Sequence, residues 1–215
     1  AMAVERITID ARSTLAGSVT ISAPPLLAAE FLTHPLVTLQ KQNPKLTINV
    51  IGEARNASLD HREADIAVRL NRPDRGDFTI VKLGEMTFRL YANPDYLAQT
   101  PEEERYFIGY KNSTANVAQQ GVLEKIASGR DFSFFANSVE IQQSAARSGA
   151  GIAALPDFVA QNDPMLTSVL PSKDPVLSRD IWLIVHSDIK NAKPIRAVIQ
   201  QLQDAFSNKM SPFKR

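Results

Sequence analysis

The 215-residue chain contains no cysteine. That excludes disulfide staples, thiol catalysis and thiolate metal sites, and it suits a reducing, cytoplasmic compartment. Histidine is scarce. His34, His61 and His186 stand far apart, without the H-x-x-x-H spacing that places two imidazoles on one helix face. No run of about 18 apolar residues occurs, so no membrane span is expected. The first residues, Ala1-Met2-Ala3-Val4-Glu5-Arg6, lack the apolar core of a secretory signal. The residue ahead of Met2 reads as a cloning scar on a piece of a longer protein. Neither sign of charge dominates: Lys+Arg is 24, Asp+Glu is 23, and the net charge is +1. Without a basic stripe the chain does not read as a nucleic-acid binder. There is no G-x-S-x-G elbow and no Walker loop. Glu102-Glu103-Glu104 reads as a solvated helix start, and Trp182 as a packed strand residue. No catalytic set, metal site or cofactor site emerges, so no enzyme and no cofactor are expected.

What is present is a globular pattern, with 44% hydrophobic residues to fill a core. Strands are expected at Gly17–Ser22, Leu46–Ile51, Asp65–Leu70, Phe78–Leu83, Met86–Ala92, Tyr106–Tyr110, Phe132–Ala136, Ile152–Leu155 and Asp180–His186. Helices fall between them. Pro24-Pro25 opens one, and Pro35 inside it predicts a break near Thr33-His34 and a new helix from Pro35 to about Asn43. Shorter helices are expected at Ala57–Arg62, Pro94–Gln99 and Ala118–Ala127. The last helix, Pro194 to about Asn208, carries Ile195, Val198, Ile199, Leu202 and Phe206 on one face. Alternating strands and helices imply a mainly parallel sheet and an α/β fold. The pattern runs twice, giving two Rossmann-like subdomains joined by two crossover strands. The boundaries read as 17–92 plus 187–209 for the first and 93–186 for the second, with 1–16 a remnant of a linker helix.

The most informative stretch runs from Ser138 to Pro156. Ser138 is a good N-cap and Glu140 suits the positive end of a helix. Ile141, Ala145 and Ala146 recur at helical spacing. Gly149 can adopt the left-handed conformation that ends a helix. Ile152–Leu155 is short and apolar on both faces, as a covered parallel strand would be. Gly149-Ala150-Gly151-Ile152-Ala153-Ala154 also matches a dinucleotide-binding fingerprint. That fingerprint needs a strand before it and a helix after it, and here the order is reversed.

Ligands in parallel sheets bind beyond the carboxyl ends of strands. Ser22-Ala23-Pro24 lies where the first strand meets a helix start, where hydroxyl and N–H groups serve either as a plain cap or as an anion cradle. Ser138-Val139-Glu140 offers the same device from the second subdomain. The Glu140 carboxylate would compete with an anion there, which favours an amine-bearing or neutral effector. Gly52-Glu53 ends the second strand. Arg69 ends the third, where it pairs with Glu53 or Asp65 or with a ligand carboxylate, the internal pairing being preferred. Tyr110 completes the candidate set.

Glu63-Ala64-Asp65-Ile66-Ala67-Val68-Arg69-Leu70 and Gly17-Ser18-Val19-Thr20-Ile21-Ser22 together resemble the effector-binding domain of LysR-type transcriptional regulators. Tyr91-Ala92-Asn93-Pro94-Asp95-Tyr96-Leu97 is similar to that family's crossover segment. Ile181-Trp182-Leu183-Ile184-Val185-His186-Ser187-Asp188 is similar to its return strand. The four segments stand in the family's order from about Gly17 to Phe206. The resemblance implies a type 2 periplasmic-binding-protein-like fold and a small-molecule effector held between the subdomains at Ser22-Ala23, Gly52-Glu53 and Ser138-Val139. It implies DNA contact only through an N-terminal winged helix-turn-helix that these residues do not include. It also implies a homodimer or higher oligomer formed by Leu36, Val37 and Leu39 on one helix and Ile141 and Ala145 on another. The Ala54–Arg62 segment is shorter than in the family. The alternative reading is a solute-binding protein of the periplasmic type, serving transport.

Overall fold

The computed structural model describes residues 15–53, 63–110, 117–170 and 174–209. In chain order they form β1 (Gly17–Ala23), α1 (Pro25–Leu27), a π-helical turn (Ala28–Leu32), α2 (Thr33–Gln42), β2 (Leu46–Gly52), β3 (Ile66–Arg69) and β4 (Phe78–Ala92). Then come α3 (Pro94–Gln99), a 3₁₀ turn (Glu102–Glu104), β5 (Phe107–Gly109), α4 (Val117–Ala127), β6 (Phe132–Phe135) and α5 (Val139–Arg147). The chain closes with β7 (Ile152–Pro156), α6 (Asp157–Ala160), β8 (Thr167–Ser168), β9 (Leu177–His186) and α7 (Lys193–Lys209). His61, the helix expected at Ala57–Arg62 and residues 1–14 of the linker remnant lie outside the described residues.

The chain divides into two compact units, Ala1–Gly84 with Ile181–Arg215, and Glu85–Asp180. The divisions fall inside β4 and β9 rather than at their ends, because each strand runs on through the boundary. The strands expected at Phe78–Leu83 and Met86–Ala92 are thus one strand, and Gly84-Glu85 is no turn.

In the first unit the strand order is β2-β1-β3-β9. β1 pairs in parallel with both β2 and β3, and β9 runs antiparallel to β3. Every residue of β3 is buried, as a strand covered on both faces must be. β2 is the outer strand and largely exposed. α7 packs on α2 and β1, with Ile195, Val198, Leu202 and Phe206 buried, and Phe206 stacks on Phe31 with ring centroids 5.6 Å apart. The break expected before Pro35 is absent. Proline has no N–H to give the carbonyl four residues back, and its ring crowds that carbonyl. The helix widens into the π turn just before it, with Thr33 Oγ1 donating to Ala28 O at 2.9 Å, and α2 then continues through Pro35.

In the second unit the order is β4-β7-β5-β6, and β8 pairs with β4. β7 is antiparallel to β4 and parallel to β5, which is parallel to β6. α5 ends as expected: Gly149 has φ +80°, its N–H donates to Ala146 O, and Ala150 N–H donates to Ala145 O. All of β7 is buried.

Candidate functional site

The three parallel strands of the first unit end together, at Ala23, Gly52 and Arg69. Glu53 N–H donates to Ala23 O at 2.7 Å, fixing the exit of β2 beside that of β1. Arg69 is only 2% exposed. Its Nη1 donates to Ser22 O at 2.8 Å and Val68 O at 2.9 Å, and its Nη2 to Ser22 Oγ at 2.7 Å. Burial pulls the guanidinium down to about 10, while the charge of Glu53 holds it up. Of the two internal partners expected for Arg69, Glu53 is the one that acts on it. Asp65 instead accepts from Thr20 N–H at 2.8 Å.

Ser22 differs from expectation. It lies inside β1, fully buried, and its hydroxyl accepts from Arg69 rather than capping a helix. The N-cap of α1 is Pro24, which offers no side-chain acceptor. Ala23 is also fully buried, whereas Gly52 is exposed and Glu53 half-buried. The chemistry offered at these strand ends is therefore a carboxylate, a peptide edge and a buried cation held just beneath.

In the second unit the ends of β5 and β6 meet the start of α5. Ala136 N–H donates to Gly109 O at 3.0 Å. Gln142, 1% exposed, donates from Nε2 to both Gly109 O (3.1 Å) and Ala136 O (3.3 Å). Ser138 caps α5 as expected, accepting from Ile141 N–H at 3.4 Å, and donates its own hydrogen to the Glu140 carboxylate at 2.6 Å. Val139 packs against the core behind it. Tyr110, just past β5, is buried. Its N–H donates to Gln120 Oε1 at 2.9 Å, and its hydroxyl accepts from Gln119 Nε2 at 3.1 Å. Burial pushes the phenol up to about 12, opposed by the Gln119 hydrogen bond and the charge of Arg179 and assisted by Glu140. Arg179 is lowered by its own desolvation.

Three of the residues expected at a dimer surface belong to the interior. Leu36 and Leu39 are buried in the first unit, and Ala145 in the core of the second. Both helices have enough apolar residues to fill the core side, and those face inward. Val37 (45% exposed) and Ile141 (48% exposed) remain on the surface.

A family model described as the LysR substrate binding domain matches residues 12–207. The chain belongs to that family. The Mau operon transcriptional activator of Paracoccus denitrificans is 25% identical over 189 residues, covering 86% of this chain and 64% of the relative. The HTH-type transcriptional regulator CrgA of Neisseria meningitidis serogroup C is 30% identical over 153 residues, covering 65% of this chain and 50% of the relative. The chain thus spans between half and two thirds of these regulators. The CrgA regulatory domain structure from Neisseria meningitidis superposes with a TM-score of 0.75 at 22% identity, over 89% of this chain and all of that one. The fold is that of LysR regulatory domains, the type 2 periplasmic-binding-protein-like fold. Among the described residues no group of three or more His, Cys, Asp or Glu is placed to hold a metal ion, and no helix is long and apolar enough to cross a membrane.

For a LysR substrate-binding domain, the polar residues missed in the sequence are Gln119, Gln142, Arg179 and Asp157. Gln142 carried a signal: it shares the helix face of Ala145 and Ala146, so a polar side chain had to point inward. Asp157 carried none, because its partners Thr87 (2.6 Å), Arg89 and Tyr91 (2.9 Å) stand on every second position of the distant strand β4.

Proposed function

We propose that this LysR-family domain senses a small-molecule effector and relays its presence to a DNA-binding region of a longer regulator. The observation that carries the reading is the convergence of Ala23, Gly52, Glu53 and Arg69 at the carboxyl ends of three parallel strands, where ligands of such sheets bind. Within the second unit, Ser138, Val139, Glu140 and Tyr110, near the ends of β5 and β6, are a separate set of candidate ligand contacts. The relatives are named as transcription regulators, which supports regulation over solute transport. An effector shifts the regulator only by its difference in affinity for two arrangements. A thermal-shift screen of amino acids, aromatic acids and sugar acids tests the proposal, because a ligand of the folded state raises its stability. The stabilising compound should bind Glu53→Ala and Ser138→Ala more weakly. Unchanged affinity in both, with folding intact, rejects the site.

The domain pairs with a second copy in this reading. The outer strands carry exposed apolar side chains, Val50 and Ile51 on β2 and Phe134 and Phe135 on β6, next in sequence to helices that expose Val37 and Ile141. Such edges invite pairing with another chain. The first-unit patch of one protomer would face the second-unit patch of its partner.

A further inference from the structure

The outer side of α7 carries chemistry that the effector reading does not use. A surface groove of about 300 Å³ lies along it, and its described walls are Lys193, Arg196, Ala197 and Gln200. These are positions i, i+3, i+4 and i+7, one stripe of a helix whose opposite side buries Ile195, Val198 and Leu202. Lys193, Arg196 and Gln200 are exposed. Among the described residues neither Lys193 nor Arg196 forms an ion pair. Asp204, the acid on the same stripe, accepts instead from Gln200 Nε2 at 2.9 Å. More positive charge stands beside the groove. Gly17 N–H donates to Lys45 O at 3.2 Å, and a Cβ on Gly17 would lie 3.7 Å from Pro194 Cγ, so Lys45 and Lys193 flank one residue. α2 packs on α7, and the Phe31–Phe206 stack holds the entry to α2 against the end of α7. Lys41, in the last turn of α2, therefore comes to the end where α7 begins. Lys41 and Lys45 are exposed and, among the described residues, form no ion pair either. Like charges gathered in this way repel one another, and an anion seated among them relieves that repulsion.

We infer that this groove is a second ligand site, separate from the effector site, for a small phosphate monoester. Charge decides the class. Lys193 and Arg196 bring two positive charges to the groove. A phosphate monoester carries about −1.5 to −2 at pH 7, whereas a monocarboxylate balances only one of the two cations. The planar fork of Arg196 matches two phosphate oxygens, and the Lys193 ammonium serves a third as a point charge. Ala197 and Gln200 offer the organic part a methyl group and an amide. The backbone of duplex DNA, the other source of phosphate, presents its charges in a long row and calls for a row of cations. Here the lining cations are two, one turn apart, in a groove the size of a small molecule.

The test uses the chain as it stands, in a buffer free of phosphate and at one fixed ionic strength. Titration calorimetry is run with glycerol phosphate, ribose phosphate and adenosine monophosphate, with glycerol, ribose and adenosine, with sulfate, and with a short DNA duplex. At least one monoester should bind, and its dephosphorylated partner should bind at least about tenfold more weakly. Arg196→Ala and Lys193→Ala should each weaken that ester about tenfold, the worth of one strong charged hydrogen bond. Arg196→Lys keeps the charge and loses the fork, and should recover only part of the affinity. Both positions are exposed, so the variants should unfold at the parent's midpoint when no ligand is present. Glu53→Ala, at the effector site, should leave the ester's affinity as it was. The inference is overturned if no ester binds better than its dephosphorylated partner, or if Arg196→Ala and Lys193→Ala both leave affinity unchanged. Sulfate binding as tightly as every ester marks an adventitious ion only, and also overturns it. Duplex binding that both variants abolish, with no ester bound, overturns it too and makes the groove part of a DNA-backbone surface. An ester weakened by Glu53→Ala and by neither α7 variant belongs to the effector site, so the second site falls while the effector reading stands.

Discussion

Gly151 has φ +147°, and a Cβ there would lie 2.7 Å from the Tyr106 carbonyl oxygen, the same oxygen that accepts from Ile152 N–H. Gly151→Ala is expected to cost roughly 2 kcal/mol, combining strain with the shift of β5 away from β7. A denaturation midpoint equal to wild type would contradict this. Asp157 is set differently, by three donors from one face of β4. Asp157→Ala removes the acceptor shared by the Arg89 guanidinium and the Thr87 and Tyr91 hydroxyls, and should cost about 2 kcal/mol by urea unfolding. Tyr110 links a residue to pH. Its folded pKa is raised from the ordinary phenol value of 10.0 to about 12. The folded chain therefore keeps this proton where the unfolded chain has lost it. The associated stability is whole below about pH 10 and drains away as pH rises toward 12. Tyr110→Phe should flatten the fall in stability over that window, and an unaltered slope would show that the phenol is not responsible.

At the scale of elements, α5 depends on its first turn. Ser138 accepts one backbone N–H and ties down Glu140, and Ser138→Ala should cost about 1 kcal/mol before any effect on binding. The helices also separate core from surface residue by residue. Leu36 and Val37 are neighbours, yet Leu36 is 2% exposed and Val37 is 45% exposed. Leu36→Glu buries a charge and should unfold the first unit, seen as lost circular dichroism at room temperature. Val37→Glu and Ile141→Glu should leave each fold intact and lower the light-scattering mass from two chains toward one. A folded Ile141→Glu chain that still scatters as a dimer would move the pairing surface elsewhere.

For the molecule as a whole, a net charge of +1 gives little phosphate attraction to release counterions. These 215 residues alone should bind DNA weakly, without sequence preference, and lose it as salt rises from about 50 to 200 mM. Salt-resistant, sequence-specific retention in a gel-shift assay would overturn the assignment of DNA contact to another part of the regulator.

By itself the sequence determined the alternation of strands and helices, the cap and stop of α5, the buried strands β3 and β7, and the family. Those rest on local chemistry: a hydroxyl before a helix, a glycine after it, apolar runs too short to be helical. Glycine at 84 read as a junction between two strands because glycine usually punctuates, but it is extended within the single strand β4. The sequence also showed which helices are amphipathic, though not which edge of each apolar stripe its own unit would cover. Only the tertiary structure decided that Leu36, Leu39 and Ala145 face inward, and that Ser22 serves Arg69 instead of a helix. Those facts depend on groups 47 residues apart, Ser22 and Arg69, brought within 2.7 Å by parallel strand pairing. No local pattern encodes such a distance.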